Sequence, residues 1–85
     1  MGEFPRRMNG LEINTVDDGF IVYQQDRGRV HYLNHTATLV LELCTGENSP
    51  ARIAGLVQTA YGLAAPPETE VNELLGKLRD ETLIQ

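Results

Sequence analysis

The sequence predicts an α+β domain in which a three-stranded antiparallel meander is followed by three helices. Three observations carry that assignment. Two turn clusters, Asp17-Asp18-Gly19 and Asp26-Arg27-Gly28, divide residues 11–33 into three short runs rich in β-branched and aromatic residues. After Asn34 the apolar spacing changes to i, i+3, i+4, i+7, the period of one helical face. All strands precede all helices, so the two kinds of element are segregated rather than alternating.

The opening MGEFPRRMNG has no periodicity and carries Pro5, Gly10 and the pair Arg6 and Arg7. Residues 1–10 are expected to form a flexible arm, with the domain proper spanning 11–85. Leu11 and Ile13 alternate with Glu12 and Asn14 in a first strand ending near Val16, and Gly19 is expected to supply the positive φ of a tight turn. Residues 20–25 form the second strand and Arg29–Leu33 the third, which sequential hairpins place at an edge.

Asn34 sits where a helix N-cap is needed, with Thr36 as its competitor. The first helix is expected to bury Ala37, Val40, Leu41 and Cys44, to run to about Thr45, and to close at Gly46. Ser49 followed by Pro50 is the strongest cap signal, since the serine oxygen satisfies a free amide and proline at the first helical position sacrifices none. That second helix presents Ile53, Leu56, Val57, Ala60 and Tyr61 on one face and ends at Gly62. The third covers residues 67–81, with Val71, Leu74, Leu75 and Leu78 inside and close packing as the expected reason for Gly76. Leu83 and Ile84 are expected to fold back onto the core.

With 85 residues, 41% of them hydrophobic and 22% charged, the chain is long enough for one folded domain. No apolar run is long enough for a signal peptide core or a membrane span, so the cytoplasm is the expected compartment. The net charge of −5 argues against a partner held through phosphates, which would need clustered Lys and Arg. Cys44 has no second cysteine to pair with and reads as a small buried hydrophobe.

Signals of catalysis are absent from the sequence. His31 and His35 are four apart but straddle the strand-to-helix junction, so they do not share a helical face. There is no glycine-rich phosphate loop and no CxxC pair, and no cofactor or metal is expected. What remains is an edge strand near an amphipathic helix. Such a pair can receive an extended peptide, or the edge can simply be solvated and protected by Arg29 and His31.

The segment GRVHYLNHTATLVLELCTGENSPARIAGLV resembles the PqqD-like family, small recognition elements for ribosomally made, post-translationally modified peptides. The matching features are Gly28, Leu33 with Asn34, Thr36 with Ala37, the Glu42, Leu43, Cys44 and Gly46 ending, and Ile53 with Ala54. The stretch VNELLGKLRDETLI is similar to the family's closing helix. It departs at Glu81 and Thr82, where the family often has a glycine before the final apolar pair. The resemblance implies a winged-helix-like peptide chaperone, without catalytic activity, that binds the leader of a precursor peptide. It further implies that the leader pairs with the third strand and is handed to a modifying enzyme, often a radical S-adenosylmethionine protein.

Carried onto this chain, the peptide-binding residues are Arg29, Val30, His31, Tyr32 and Leu33 on the strand. Val71, Leu74, Leu75 and Leu78 form the groove wall, with Lys77 and Arg79 at its rim. Either Val30 and Tyr32 or His31 and Leu33 could point inward, and the family pattern favours Leu33 inside. Two rivals come from other classes. One is a winged helix that reads DNA, for which five acids against two bases in residues 68–81 is the wrong sign. The other is a dimerisation module that pairs the same edge with a second copy, giving a homodimer.

Overall fold

The computed structural model describes residues 4–85. In chain order the elements are β1 (Leu11–Val16), β2 (Gly19–Gln24), β3 (Arg29–Leu33), α1 (His35–Leu43), α2 (Pro50–Tyr61) and α3 (Glu68–Asp80). The strands form one antiparallel sheet in the order β1-β2-β3, as the two turn clusters require. The turn after β1 closes on the pair Val16 and Gly19, and Gly19 does not adopt a positive φ. Its role is close approach: a Cβ there would stand 2.5 Å from the Leu33 carbonyl and 2.9 Å from the Tyr32 hydroxyl. Gly28, at φ +62°, supplies the left-handed residue of the second turn.

One face of the sheet is covered by the helices. Val22 and Leu33 meet Val40 and Leu41 of α1, Ile53, Ala54 and Val57 of α2, and Val71, Leu75 and Leu78 of α3 in a single apolar core. Leu83 and Ile84 are buried in it, so the chain does fold back after α3.

Asn34 caps α1 by accepting from the Ala37 amide at 2.9 Å. The helix stops at Leu43, two residues short of expectation, because Cys44 turns out of the helical region at ψ 76° and its amide bonds to the Leu41 carbonyl instead of that of Val40. Asn48 donates to the Leu43 carbonyl and the Arg7 amide to that of Cys44, both at 2.9 Å. Gly46, at φ +88°, lies beyond the helix end, and its missing Cβ leaves room for the Arg6 side chain.

Further contacts hold part of the opening segment against the rest of the domain. Residues 1–3 lie outside the described residues, but Pro5 is buried and accepts from the Gly46 amide at 2.8 Å, and Met8 donates to Leu83 at 2.9 Å. Arg6 and Arg7 form bridges to Thr45 and Ile84, so this segment ties the end of α1 to the C-terminus.

Ser49 caps α2 by accepting from the Arg52 amide, and Gly62 ends it at φ +63°. The buried face is Ile53, Ala54 and Val57; the last turn projects past the core, leaving Ala60 and Tyr61 exposed. In α3 the acids Glu68 and Glu70 open the helix and Lys77 and Arg79 close it, each complementing the helix dipole. Gly76 has no neighbour that a Cβ would meet, so close packing does not explain it.

Candidate functional site

The register of β3 decides what this edge can offer. Leu33 is buried and His31 half-buried on the helix side, while Val30 and Tyr32 are 60% and 58% exposed on the other face. The Leu33 carbonyl lies against Gly19, which places its hydrogen-bonding groups toward β2. In an antiparallel ladder successive residues turn their N–H and C=O groups to opposite sides. Val30 and Tyr32 therefore turn theirs away from β2, where no further strand lies among the described residues. A row of backbone donors and acceptors is left available there.

Beside this edge runs a groove of about 220 Å³. Tyr32, Leu33, Asn34 and Ala37 line one side, and Leu74, Lys77, Leu78 and Glu81 the other. The helical period explains which α3 residues take part. Leu74, Lys77, Leu78 and Glu81 follow i, i+3, i+4, i+7 and face β3, whereas Val71, Leu75 and Leu78 follow i, i+4, i+7 and face the core. Leu78 serves both.

Not all of the residues expected at the site come together. Val71 and Leu75 are core residues, about as buried as any in the chain. Arg79 is on the other flank of α3, close enough to Cys44 for its charge to act on the thiol. Arg29 is exposed at the start of β3. Three groove residues escaped sequence reasoning: Asn34 and Ala37, read only as cap and core, and Glu81, whose spacing from Leu74 and Lys77 was the available signal.

A polar network beneath the edge fixes the distance between β3 and α3. The buried Gln24 side chain donates through Nε2 to the Thr82 carbonyl at 3.1 Å, which leaves its Oε1 facing His31 Nε2 at 2.6 Å. His31 Nδ1 lies 3.4 Å from the Glu81 carboxylate. The imidazole thus sits between the middle strand and the end of α3. On the opposite face the Tyr32 hydroxyl donates to the Asp18 carbonyl at 2.8 Å, holding its ring over Gly19.

His35 packs edge-on against Phe20, with ring centroids 5.4 Å apart, and is separate from the His31 network. No group of three His, Cys, Asp or Glu residues among the described residues could hold a metal ion. Burial pushes the Cys44 thiol up to about 11, outweighing the opposing charge of Arg79, so it is neutral at ordinary pH. No helix among the described residues is long and apolar enough to cross a membrane.

Two solved structures share this fold. One is a lasso peptide synthetase B1 complexed with the leader peptide, 20% identical, with a TM-score of 0.74 and coverage of 95% of this chain and 96% of that one. The other is TbiB1 in complex with the TbiA(beta) leader peptide, 16% identical, with a TM-score of 0.74 and coverage of 94% of each chain. No curated protein matches the sequence. At these identities the likeness speaks for the fold alone. A family model described as coenzyme PQQ synthesis protein D (PqqD) matches residues 19–84. That match takes in β2, β3 and every helix, and the chain belongs to the PqqD family.

Proposed function

We propose that the domain binds the leader segment of a ribosomally made precursor peptide by adding it as a fourth strand at β3. The observation that carries this reading is the outward row of Val30 and Tyr32 backbone groups running beside the Leu74–Lys77–Leu78 groove. Backbone pairing would supply affinity without sequence preference, and alternate leader side chains entering the groove would supply specificity. Both solved neighbours are complexes with leader peptides, which supports the same ligand class here.

On this reading the domain carries out no chemistry. It presents the bound peptide, in the cytoplasm, to a modifying enzyme, for which the family resemblance points to a radical S-adenosylmethionine protein. Residues carrying the contact are Val30, Tyr32, Leu33, Leu74, Lys77 and Leu78. The test is anisotropy of a labelled synthetic leader, taken from the precursor gene nearest this one, titrated with the protein. Saturable one-to-one binding that a scrambled peptide does not reproduce is expected; absence of saturable binding at high micromolar protein would sink the proposal.

A further inference from the structure

Resting on the leader-binding reading, we infer that the peptide surface continues past β3 into a second pocket, which takes a large apolar side chain from beyond the strand-paired segment. This pocket, about 240 Å³, lies where α1 begins, α2 ends and α3 begins. Its walls include Thr36, Val57, Tyr61, Leu63, Pro67 and Val71.

Continuity commits it to the same peptide. Thr36 is next to Ala37 of the β3 groove, and Val71 is less than one helical turn from Leu74. The α3 helix runs back along the path that leads from β3 into α1, since Glu81 reaches His31 while Leu74 lines the groove with Asn34 and Ala37. A peptide following the edge past Leu33 therefore meets Thr36 and Val71 next. Both pockets thus draw their walls from neighbouring positions of α1 and α3.

The pocket is also held open. Leu63 donates its amide to the Gln58 carbonyl at 2.9 Å and accepts from the Gln58 side chain at 3.2 Å, so both its backbone groups are fixed. Pro66 and Pro67 stiffen the chain beyond it. Tyr61 and Leu63 are consequently left 46% and 41% exposed instead of closing over Val57. An engineered cavity of about 150 Å³ accommodates benzene, so this volume suits an aromatic or leucine-sized side chain. Glu70, the one charged group lining it, disfavours an acidic side chain.

The test uses the full chain with labelled methyl groups, titrated with the same synthetic leader and with versions shortened from either end. The full leader is expected to shift Val30 and Leu33 together with Val57 and Leu63. One shortened version should lose the Val57 and Leu63 shifts, keep those of β3, and bind at least tenfold more weakly. Leu63→Ser and Tyr61→Ser, both at exposed positions, should weaken the full leader at least fivefold and leave the shortened one unchanged. If Val30 and Leu33 shift while Val57 and Leu63 stay still, and both variants bind within twofold, the second pocket is refuted and leader binding at β3 stands. If neither set shifts, both readings fall.

Discussion

The Gln24 side-chain amide donates to the Thr82 backbone carbonyl across 3.1 Å, joining the middle strand of the sheet to the turn that follows α3. The same side chain meets His31 on β3, so it sets the spacing between the peptide edge and the helix opposite. Gln24→Ala would leave a carbonyl and an imidazole without their partner in a largely dry site. A buried polar group left unsatisfied costs about 1–3 kcal/mol. Urea denaturation should show a loss of about 2 kcal/mol or more, and unchanged stability would mean that water replaces the amide.

Thr82 is the non-glycine residue with a positive φ among the described residues, at +59°. A β-branched residue there is strained, and the family resemblance places a glycine near this point. Its Oγ1 donates to the Glu81 carbonyl at 2.6 Å, a local compensation. The left-handed conformation costs an L-residue about 1–2 kcal/mol, partly offset by the greater unfolded-state freedom of glycine. Thr82→Gly should therefore raise stability by about 0.5–1 kcal/mol in the same assay, with a loss arguing that the hydroxyl contact outweighs the strain.

Proline substitutions read out which amides face the edge. Tyr32→Pro removes an N–H that points away from β2, and proline is tolerated on a free edge. The fold should survive by circular dichroism while leader affinity falls about tenfold, the worth of one net hydrogen bond. Tyr32→Phe separates loss of the hydroxyl contact from loss of the amide. His31→Pro removes an amide bonded to β2 and should destabilise the fold itself.

The Cys44 thiol gives a pH signature. Its folded value is raised to about 11 from the usual 9.0, so the folded state prefers the protonated form. Below pH 9 both states hold the proton and the preference has no effect on stability. As the pH rises from about 9 to 11 the unfolded thiol ionises and the folded one does not, and stability is lost across that window. Thermal melts of the wild type should fall there more steeply than those of Cys44→Ala, and maleimide labelling at pH 7.5 should be slow until denaturant is added. Equal slopes would contradict the assignment of Cys44 as a desolvated neutral thiol.

The bounds of β3, the Asn34 and Ser49 caps and the order of all six elements were legible in the sequence, because periodicity and cap chemistry are local properties. What was not legible depends on packing between distant segments. The α1 helix ends at Leu43 because Cys44 leaves the helical region there, its carbonyl held by the distant Arg7 amide, and nothing near Thr45 announces that. The inward face of β3 follows from Gly19 admitting the Leu33 carbonyl and Tyr32 ring. At the site, Lys77 and Arg79 are both late, exposed, basic residues of α3, and 200° of helical rotation sends only Lys77 to the groove. Leu75 belonged to a stripe whose packing role accounts for it fully, and Val71 packs in the same core while also bordering the second pocket.

Amide hydrogen exchange tests strand addition at β3 most directly. In the free protein the Val30 and Tyr32 amides should exchange quickly, while His31 and Leu33, paired with β2, are protected. Saturating leader should slow Val30 and Tyr32 by about a hundredfold or more and change His31 and Leu33 far less, since only the outward amides gain a partner. Tight binding with Val30 and Tyr32 exchanging at their free rates would contradict the account.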